Sequence, residues 1–329
     1  MSHSKLADVA RSCGVSISTA SRAINNRGEV SSKTRARVLE AAEKLGYVPN
    51  SLAKGLWSGT TKTVGIVVST IKSSFYANVV GVIEDFLGGH GYNILVNSTN
   101  EDPERELRAI KLLVEQRVDG IVLAPVESEP AAVDFLDKNN VPYVIMGRSV
   151  RNADTNHVVC DDLLIGKLAA EHLLQAGHKQ ILFVNSALNH SAELRAKGFR
   201  TRLKEYGIEW DENFMLPIGG KRPMVDSLHE ALNRAVKPTA IFCFCDDFAL
   251  EVMQVLKQRG LKIPTDLAVM GVDNLSLTEL LDPPLTTIDT QKTKMGTLSA
   301  EILLKAMQEP EKEFEQVVLT PTLIKRVSA

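Results

Sequence analysis

Residues 6–26 read LADVARSCGVSISTASRAINN, and this stretch decides the fold of the N-terminal part of the chain. The i, i+3, i+4, i+7 spacing of one apolar helix face is met by Leu6, Val9, Ala10 and Cys13. The pattern breaks at Gly14, and Ser16 can cap a second helix because its hydroxyl can accept a hydrogen bond from a first-turn amide. The stretch therefore predicts two short helices joined by a tight turn.

The second predicted helix has an apolar face and a polar face. The inward positions are Ala20, Ala23 and Ile24, and the outward ones are Ser18, Ser21, Arg22 and Asn25. Hydroxyl, amide and guanidinium groups on the second helix of such a pair are typical of a helix-turn-helix that reads DNA. The pattern therefore predicts DNA recognition.

The charge distribution points to a polyanion partner at one end of the chain. The 329 residues carry a formal net charge of −2, but residues 1–62 hold ten Lys and Arg against four Asp and Glu. The remainder holds 28 basic and 36 acidic residues. A basic N-terminal part on an acidic remainder favours nucleic acid as the partner, and a chance fluctuation of surface charge is the alternative.

Beyond the helix pair, the pattern predicts a third helix and then an α/β region. The third helix starts at Ser31 or Ser32 and ends near Leu45, with inward side chains from Val38, Leu39, Ala42 and Leu45. Apolar runs then occur at 64–68, 94–96, 120–125, 143–146, 181–184, 241–245 and 267–272. Helical patterns lie at 75–90, 104–117, 130–139, 162–176, 191–206, 225–236, 247–259 and 292–308. This alternation predicts parallel sheets covered by helices on both faces.

Several stretches resemble the LacI/GalR (lac repressor) family of bacterial transcription regulators in order and spacing. They are LADVA, GVSISTASRAINN, VSSKTRARVLEAAEKLGYVPN, LAKGL, VGIVVSTIKSSFY, VDGIVLAP, GHKQILFV, LRAKGF and DPPLTTID. The resemblance implies an all-α helix-turn-helix head over 1–49, a hinge helix and linker over 50–62, and an α/β effector-binding and dimerisation domain over 63–329.

The same resemblance divides the α/β domain into two doubly wound parallel-sheet lobes, as in the periplasmic sugar-binding fold. Lobe one is expected near 63–160 plus 290–318, and lobe two near 161–289 plus 319–329. The chain is expected to cross between the lobes near 157–162, 286–291 and 315–322.

The resemblance also implies which residues meet DNA. Base reading is assigned to Ile17, Ser18 and Arg22, and phosphate contact to Ser16, Thr19, Ser21, Asn25, Ser31, Thr34, Tyr47 and Asn50. Lys5 stands where a capping threonine is common, so Ser4 is expected to cap the first helix while Lys5 faces phosphate. The alternatives are that Ile17 packs within the head and that each hydroxyl acts only as a cap or is solvated.

Residues 50–57 resemble the family's hinge helix. A helix this short is too costly to nucleate alone in water, and Gly55 adds roughly 1 kcal/mol to that cost. We therefore expect the hinge to order when two hinges meet on an operator. Leu56 matches the leucine that wedges into the minor groove; packing against Trp57 or the body is the alternative.

The candidate effector contacts follow the predicted strands or open the next helix, where ligands of parallel sheets bind. They are Ser69, Phe75, Tyr76, Arg148, Arg195, Asp246 and Asp273. By resemblance Arg195 and Asp273 contact the effector directly, and an ion pair between these two is the alternative. Cys245 replaces a common asparagine and Gly147-Arg148 a common aspartate-containing pair, which slightly favours an acidic or phosphorylated effector.

Other classes of protein find less support in the sequence. No GxGxxG follows a strand, and neither a Walker phosphate loop nor a GxSxG elbow occurs, which argues against an enzyme. The N-terminus MSHSKLADVA has no apolar run, which argues against a secreted sugar-binding protein. The four scattered cysteines and the histidines show no metal-ligand spacing.

We therefore predict a cytoplasmic, sequence-specific repressor without metal or cofactor and without a membrane span. It is expected to bind a near-palindromic operator as a homodimer and to respond to a sugar or sugar derivative. The sequence leaves open which effector this is, which bases are read, and whether the effector releases or strengthens DNA binding.

Overall fold

The computed structural model describes residues 4–28, 30–48, 59–126, 131–150, 154–186, 190–219, 222–309 and 313–329. The chain forms two compact units, Met1–Thr61 and Lys62–Ala329. The predicted fold class is confirmed: helices make up the first unit, and parallel sheets with covering helices make up the second.

Three helices are described in the first unit: α1 (Leu6–Cys13), α2 (Ile17–Ile24) and α3 (Ser32–Lys44). Gly14 ends α1 in the left-handed conformation, with φ 60°. The backbone N–H of Thr19 donates to the Ser16 hydroxyl at 3.1 Å, so Ser16 caps α2 as predicted. The core consists of Val9, Ala10, Cys13, Ala20, Ala23, Val38, Ala41 and Ala42.

Two details of the head differ from the sequence prediction. Ser4 does not cap α1, because its hydroxyl donates to the Leu45 carbonyl at 2.6 Å; the N-cap position belongs to Lys5, whose N–H donates to the Asp8 carboxylate. Leu39 and Leu45 are 47% and 37% exposed rather than inward. Ala41 and Ala42 instead fill the α3 side of the core beside Val38.

The second unit alternates strands and helices. Its strands are β1 (Thr63–Val68), β2 (Asn93–Ser98), β3 (Gly120–Leu123), β4 (Tyr143–Met146), β5 (His157–Cys160), β6 (Ile181–Ser186), β7 (Met215–Ile218), β8 (Ala240–Cys243), β9 (Ala268–Met270), β10 (Thr287–Asp289), β11 (Gln316–Leu319) and β12 (Thr322–Ile324). Its helices are α4 (Ser74–Gly89), α5 (Pro103–Glu115), α6 (Ala131–Lys138), α7 (Asp162–Gln175), α8 (His190–Glu205), α9 (Met224–Leu232), α10 (Asp246–Gln258) and α11 (Lys292–Gln308). Within these described residues, none of the helices is long and apolar enough to cross a bilayer.

The strands form two parallel sheets and one short antiparallel pair. The first sheet has the order β11-β5-β4-β3-β1-β2, and the second has the order β7-β6-β8-β9. Strands β10 and β12 form a separate antiparallel pair, in which Ile288 lies opposite Leu323. The chain passes from one sheet region to the other three times: between β5 and α7, between β10 and α11, and between β11 and β12.

The pleat of the first sheet explains why its central strands β1, β3 and β4 are almost continuously apolar. In β1, Val64 and Ile66 pack in a cluster with residues of α4 and α11, whereas Val67 packs with residues of α5 and α6. In β3, Val122 joins the first cluster and Ile121 the second. Successive side chains point to opposite faces, so a sheet covered on both sides needs an unbroken apolar run.

Helices α7 and α8 pack together unusually closely. A Cβ added to Gly166 would lie 2.0 Å from the Arg195 carbonyl oxygen, and one added to Gly198 would lie 1.9 Å from the Leu163 carbonyl oxygen. Only glycine leaves room for this approach of the two backbones. The contact brings the first turn of α7 beside α8, which places Asp162 next to Arg195.

Candidate DNA-binding surface and effector cleft

The outward face of α2 has the three side chains to which the resemblance assigns base reading. Ile17 is 55% exposed, and Ser18 and Arg22 are also exposed. In the described part of the chain the Arg22 guanidinium makes no hydrogen bond or ion pair, so its donors are free. This exposure does not agree with the alternative that Ile17 packs within the head.

The candidate phosphate contacts cluster at the starts of α2 and α3. The Ser16 hydroxyl lies 2.9 Å from that of Ser18 and 2.8 Å from that of Thr19. The Ser31 hydroxyl donates to that of Thr34 at 2.9 Å and also caps α3. Hydroxyls and free amides at helix N-termini suit phosphate oxygens, because the helix dipole favours negative charge there.

The remaining candidates differ in exposure. Lys5 is exposed, whereas Ser21 and Asn25 are half-buried and joined by a hydrogen bond from the Asn25 amide to the Ser21 carbonyl at 3.0 Å. Tyr47 is half-buried against the head core. The predicted contacts at Asn50 and Leu56, together with the hinge helix over 50–57, lie outside the described residues.

The candidate effector residues lie at the carboxyl ends of both sheets. Ser69 follows β1, Arg148 follows β4, Asp246 follows β8 and Asp273 follows β9. Parallel sheets bind ligands at this edge, because loops and helix N-termini meet there. The second-unit residues named by the sequence are therefore assembled in one region.

Tyr76 connects residues from both sheets. Its ring is buried and packs edge-to-face against Phe75, with 5.1 Å between ring centroids. Burial raises the pKa of the Tyr76 hydroxyl, while the positive charge of Arg148 and a hydrogen bond with Ser69 lower it, and the carboxylate of Asp273 contributes a further rise. The Tyr76 hydroxyl is therefore affected both by residues that follow strands of the first sheet and by Asp273, which follows a strand of the second.

Arg195 is held by partners on its own side of the cleft. Its Nε–H donates to Asp162 at 2.7 Å, one of its Nη groups donates to the Phe244 carbonyl, and its guanidinium lies 4.3 Å from the centre of the Phe244 ring. In the part of the chain that the structure describes, no ion pair joins Arg195 to Asp273. The alternative of a direct Arg195–Asp273 bridge is therefore not the arrangement adopted.

Asp246 is fully buried and supports the loop that follows β9. One carboxylate oxygen accepts the Thr287 hydroxyl at 2.6 Å, and the other accepts the Leu275 N–H at 2.9 Å. Burial raises the pKa of Asp246 to about 7, although these two hydrogen bonds act in the opposite direction. With both oxygens occupied, Asp246 positions the Asp273 loop instead of offering a free acceptor.

Among the described residues, the Asp273 carboxylate has few partners. The Thr290 hydroxyl approaches its carboxylate at only 3.5 Å, and its backbone has a φ of 112°, which non-glycine residues rarely adopt. Lys292 donates to the backbone carbonyls of Asp273 and Asn274, fixing this turn. Burial raises the pKa of Asp273 well above its ordinary value, and Arg195 opposes that rise. A ligand that donates hydrogen bonds would satisfy this buried carboxylate.

Arg148 is also paired within the protein. Its two Nη groups donate to the two carboxylate oxygens of Glu101, at 2.8 and 2.6 Å. Burial alone would lower the pKa of Arg148, but Tyr76 and the hydrogen-bonded Glu101 raise it, so the guanidinium stays charged. The acceptor that appeared to be missing beside Arg148 in the sequence is supplied from a different loop.

Three carboxylates of the cleft were missed by the sequence analysis: Glu101, Asp162 and Asp247. Glu101 follows β2 and Asp162 follows β5, so the strand-end rule would have found both if it had been applied to every strand. Among the described residues, no group of three or more His, Cys, Asp or Glu could hold a metal ion.

Asp247 joins the two sides of the cleft. It lies in the first turn of α10, and its two carboxylate oxygens accept the backbone N–H of Ser74 at 3.1 Å and the Ser74 hydroxyl at 2.8 Å. Ser74 begins α4, where the preceding Ser73 makes no side-chain cap. Asp247 therefore caps α4 from the opposite lobe.

We expect the Ser74–Asp247 contact to couple the two lobes energetically. In a double-mutant cycle on the free energy of unfolding, Ser74→Ala and Asp247→Ala should show a coupling energy of about 1–2 kcal/mol, as for a hydrogen bond to a charged group. Ser73→Ala with Asp247→Ala is the matched control and should be additive, since the Ser73 side chain makes no cap hydrogen bond. Additivity within about 0.3 kcal/mol for the Ser74 cycle would contradict the contact.

Comparison with known proteins gives a consistent result over the whole chain. Residues 5–50 match the family described as bacterial regulatory proteins, lacI family, and residues 170–329 match the periplasmic binding protein-like domain. The HTH-type transcriptional repressor PurR of Glaesserella parasuis serovar 5 (strain SH0165) is 32% identical over 323 residues, covering 96% of this chain and 94% of that protein. The ribose operon repressor of Escherichia coli (strain K12) is 32% identical over 329 residues, covering 98% of each chain.

Solved structures agree with these sequence relatives. A LacI family transcriptional regulator from Silicibacter pomeroyi superimposes with a TM-score of 0.86 at 28% identity, covering 99% of both chains. The lac repressor dimer bound to operator and the anti-inducer ONPF superimposes with a TM-score of 0.82 at 26% identity, again covering 99% of both chains.

Proposed function

The chain belongs to the lacI family of bacterial regulatory proteins and is a DNA-binding transcription repressor with an effector-binding body, and from this premise we propose which of its residues contact the operator and which contact the effector. The head reads an operator, and the cleft of the body binds a small molecule that changes operator affinity. The observation that carries the proposal is the exposed guanidinium of Arg22 on the capped helix α2, which makes no hydrogen bond or ion pair with any other described residue.

We propose that Arg22 makes a bidentate contact with guanine in the major groove, that Ile17 meets a thymine methyl group, and that Ser18 contacts a base edge. The proposed phosphate contacts are Lys5, Ser16, Thr19, Ser21, Asn25, Ser31, Thr34, Tyr47 and Asn50, and Leu56 is the proposed minor-groove wedge. Phosphate contacts fix position on the duplex, whereas base contacts specify sequence. The exposure of Ile17 supports this division.

The experiment that tests DNA binding is selection from random duplexes followed by a salt titration of the selected operator. We expect a near-palindromic sequence to emerge, and its affinity to fall with salt with a log–log slope of about −0.9 per phosphate neutralised. A protein that captures no duplex even at low ionic strength would contradict the proposal.

For the effector, we propose a sugar or sugar derivative bound by Ser69, Phe75, Tyr76, Arg148, Arg195 and Asp273, with Asp246 positioning the last of these. An arginine and a carboxylate that converge on a cleft can bracket polyol hydroxyls with charge-assisted hydrogen bonds. Titrating the operator complex with a metabolite panel tests this, and the active compound should change operator affinity by about 5- to 150-fold in one direction.

We further propose that the protein acts as a cytoplasmic homodimer and has no enzymatic activity. Two heads related by a two-fold axis would match the two halves of the operator. Leu277 and Leu280 are 52% and 76% exposed on the body, and a second copy would bury them. The division into a head over 1–49, a hinge and linker over 50–62 and a two-lobed body over 63–329 is part of the same proposal.

A further inference from the structure

The loop that follows β2 has an unusual backbone. Asn100 and Glu101 adopt successive positive φ angles of 53° and 60°. Left-handed conformations are unfavourable for residues other than glycine, and two in sequence persist only where surrounding contacts determine them. Such outliers concentrate at ligand sites, and here the outlier directs the Glu101 carboxylate at Arg148.

The Glu101–Arg148 pair is bidentate and largely removed from solvent. Its two hydrogen bonds measure 2.8 and 2.6 Å, and the side chains of Arg148 and Glu101 are only 10% and 20% exposed. A third guanidinium N–H donates to the Pro125 carbonyl at 3.2 Å. Because the two opposite charges are in contact, a third charge that approaches meets a pair without net charge.

Within the described residues, not every N–H group of the Arg148 guanidinium has a hydrogen-bond acceptor. A guanidinium has five N–H groups, and three are used by Glu101 and Pro125. The two N–H groups without an acceptor among the described residues, on Nε and on the Nη that contacts Glu101 alone, can donate to neutral oxygen acceptors. Arg148 is thus equipped to bind hydroxyl or carbonyl oxygen without offering an unmatched positive charge.

The second guanidinium of the cleft is arranged in the same way. Arg195 is paired with Asp162 at 2.7 Å, with side-chain exposures of 9% and 6%. Asp273, in contrast, is a buried carboxylate with one long hydrogen bond. Neither cleft arginine is therefore left without a carboxylate partner.

We propose that Glu101 is a specificity-determining residue that neutralises Arg148, so that the cleft accepts an uncharged polyhydroxyl effector and rejects ligands that carry a carboxylate or phosphate. The inference rests on the proposed effector function of this cleft. It replaces the weak expectation of an acidic or phosphorylated effector, which assumed that Arg148 had no acceptor. An anion reaching Arg148 must face the Glu101 charge or displace it.

The test uses inorganic phosphate as the probe and the full-length protein. Binding is followed through the phosphate-dependent rise in Tm, with sodium chloride at equal ionic strength as the reference. Glu101→Gln keeps the shape of the side chain but removes its charge, and it should bind phosphate at least tenfold more tightly than the unaltered protein. The double variant Glu101→Gln with Arg148→Gln should lose this gain, because the cation left unpaired by Glu101→Gln is gone.

Two results would overturn the proposal. One is a phosphate response of Glu101→Gln no greater than that of the unaltered protein. The other is a response that persists in the double variant, which would locate the anion site elsewhere, such as the basic head. If Glu101→Gln is unstable, phosphate should restore its Tm selectively, and Glu101→Asp, which retains the charge on a shorter side chain, should respond to phosphate less than Glu101→Gln.

Operator binding separates failure of this inference from failure of the proposed function. Operator binding is therefore measured on the unaltered protein, in the absence of phosphate. If the unaltered protein binds the selected operator but Glu101→Gln ignores phosphate, the inference alone is refuted. A protein that binds no operator before any substitution refutes the proposed function.

Discussion

Gly198→Ala is expected to destabilise the body by about 3 kcal/mol, because the added Cβ would lie 1.9 Å from the carbonyl oxygen of Leu163. The obstructing atom belongs to the backbone of α7, so no side-chain rotation can relieve the overlap. Alanine improves helix propensity by at most about 1 kcal/mol, which is too little to compensate. The two helices must separate or unwind locally.

Urea unfolding followed by circular dichroism would measure this loss. The matched control is Gly81→Ala within α4, where no heavy atom lies within 4 Å of the added Cβ. That substitution should leave stability unchanged or raise it by up to about 1 kcal/mol. Equal effects of the two substitutions would show that the α7–α8 approach is looser than described.

The same substitution has a consequence for the effector response. Asp162 opens α7 and Arg195 lies in α8, three residues before Gly198, so their 2.7 Å contact depends on the distance between the helices. Forcing the helices apart should weaken this pair and leave two buried charges poorly matched. Molecules of Gly198→Ala that remain folded should therefore respond less to the effector that acts on the unaltered protein.

Local pattern was sufficient to predict most of the fold. The apolar faces of α1 and α2 and the Ser16 cap depend on residues a few positions apart, which spacing captures directly. The predicted apolar runs did not include five strands, which are short or lie at a sheet edge: β5, β7, β10, β11 and β12. In β7, Pro217 interrupts the apolar run, and an edge strand tolerates the missing N–H.

Errors arose where tertiary contact decides the outcome. Helical spacing placed Leu39 inward, but Ala41 and Ala42 take the core positions beside Val38 where α3 meets α1 and α2. The predicted helix over 225–236 ends at Leu232, where Asn233 takes the C-cap position. Neither outcome is visible from periodicity, because each depends on which neighbour packs against the segment.

In the candidate site, the sequence predicts where a residue lies better than which residue it contacts. Ser69 and Arg148 follow strands of the first sheet, and both affect the Tyr76 hydroxyl at the start of α4. The choice of partner could not be predicted, since Arg148 and Glu101 are 47 positions apart and several carboxylates were available. A few ångströms decide whether two charged side chains form an ion pair. Pairing with Glu101 makes Arg148 part of a neutral pair instead of a free cation.

Arg22→Ala should cause the largest loss of operator discrimination of any single substitution in the head. A bidentate arginine–guanine contact provides roughly 1–3 kcal/mol of discrimination, so affinity for the selected operator should fall about 5- to 150-fold. Affinity for unrelated duplex should fall much less. Head stability should be nearly unchanged, because Arg22 is exposed and has no hydrogen bond or ion pair within the described residues.

Arg22→Lys and Arg11→Ala are the controls that distinguish loss of a base contact from loss of positive charge. Lysine keeps the charge but lacks the planar fork, so Arg22→Lys should keep the salt dependence and lose preference at one base position. Arg11 lies on α1 beside Asp8, 3.4 Å away, and its removal changes the net charge equally while leaving α2 intact. We expect Arg11→Ala to preserve base preference. If Arg22→Ala weakened every duplex to the same extent, Arg22 would be a phosphate contact, and the base reading would have to come from Ile17 and Ser18.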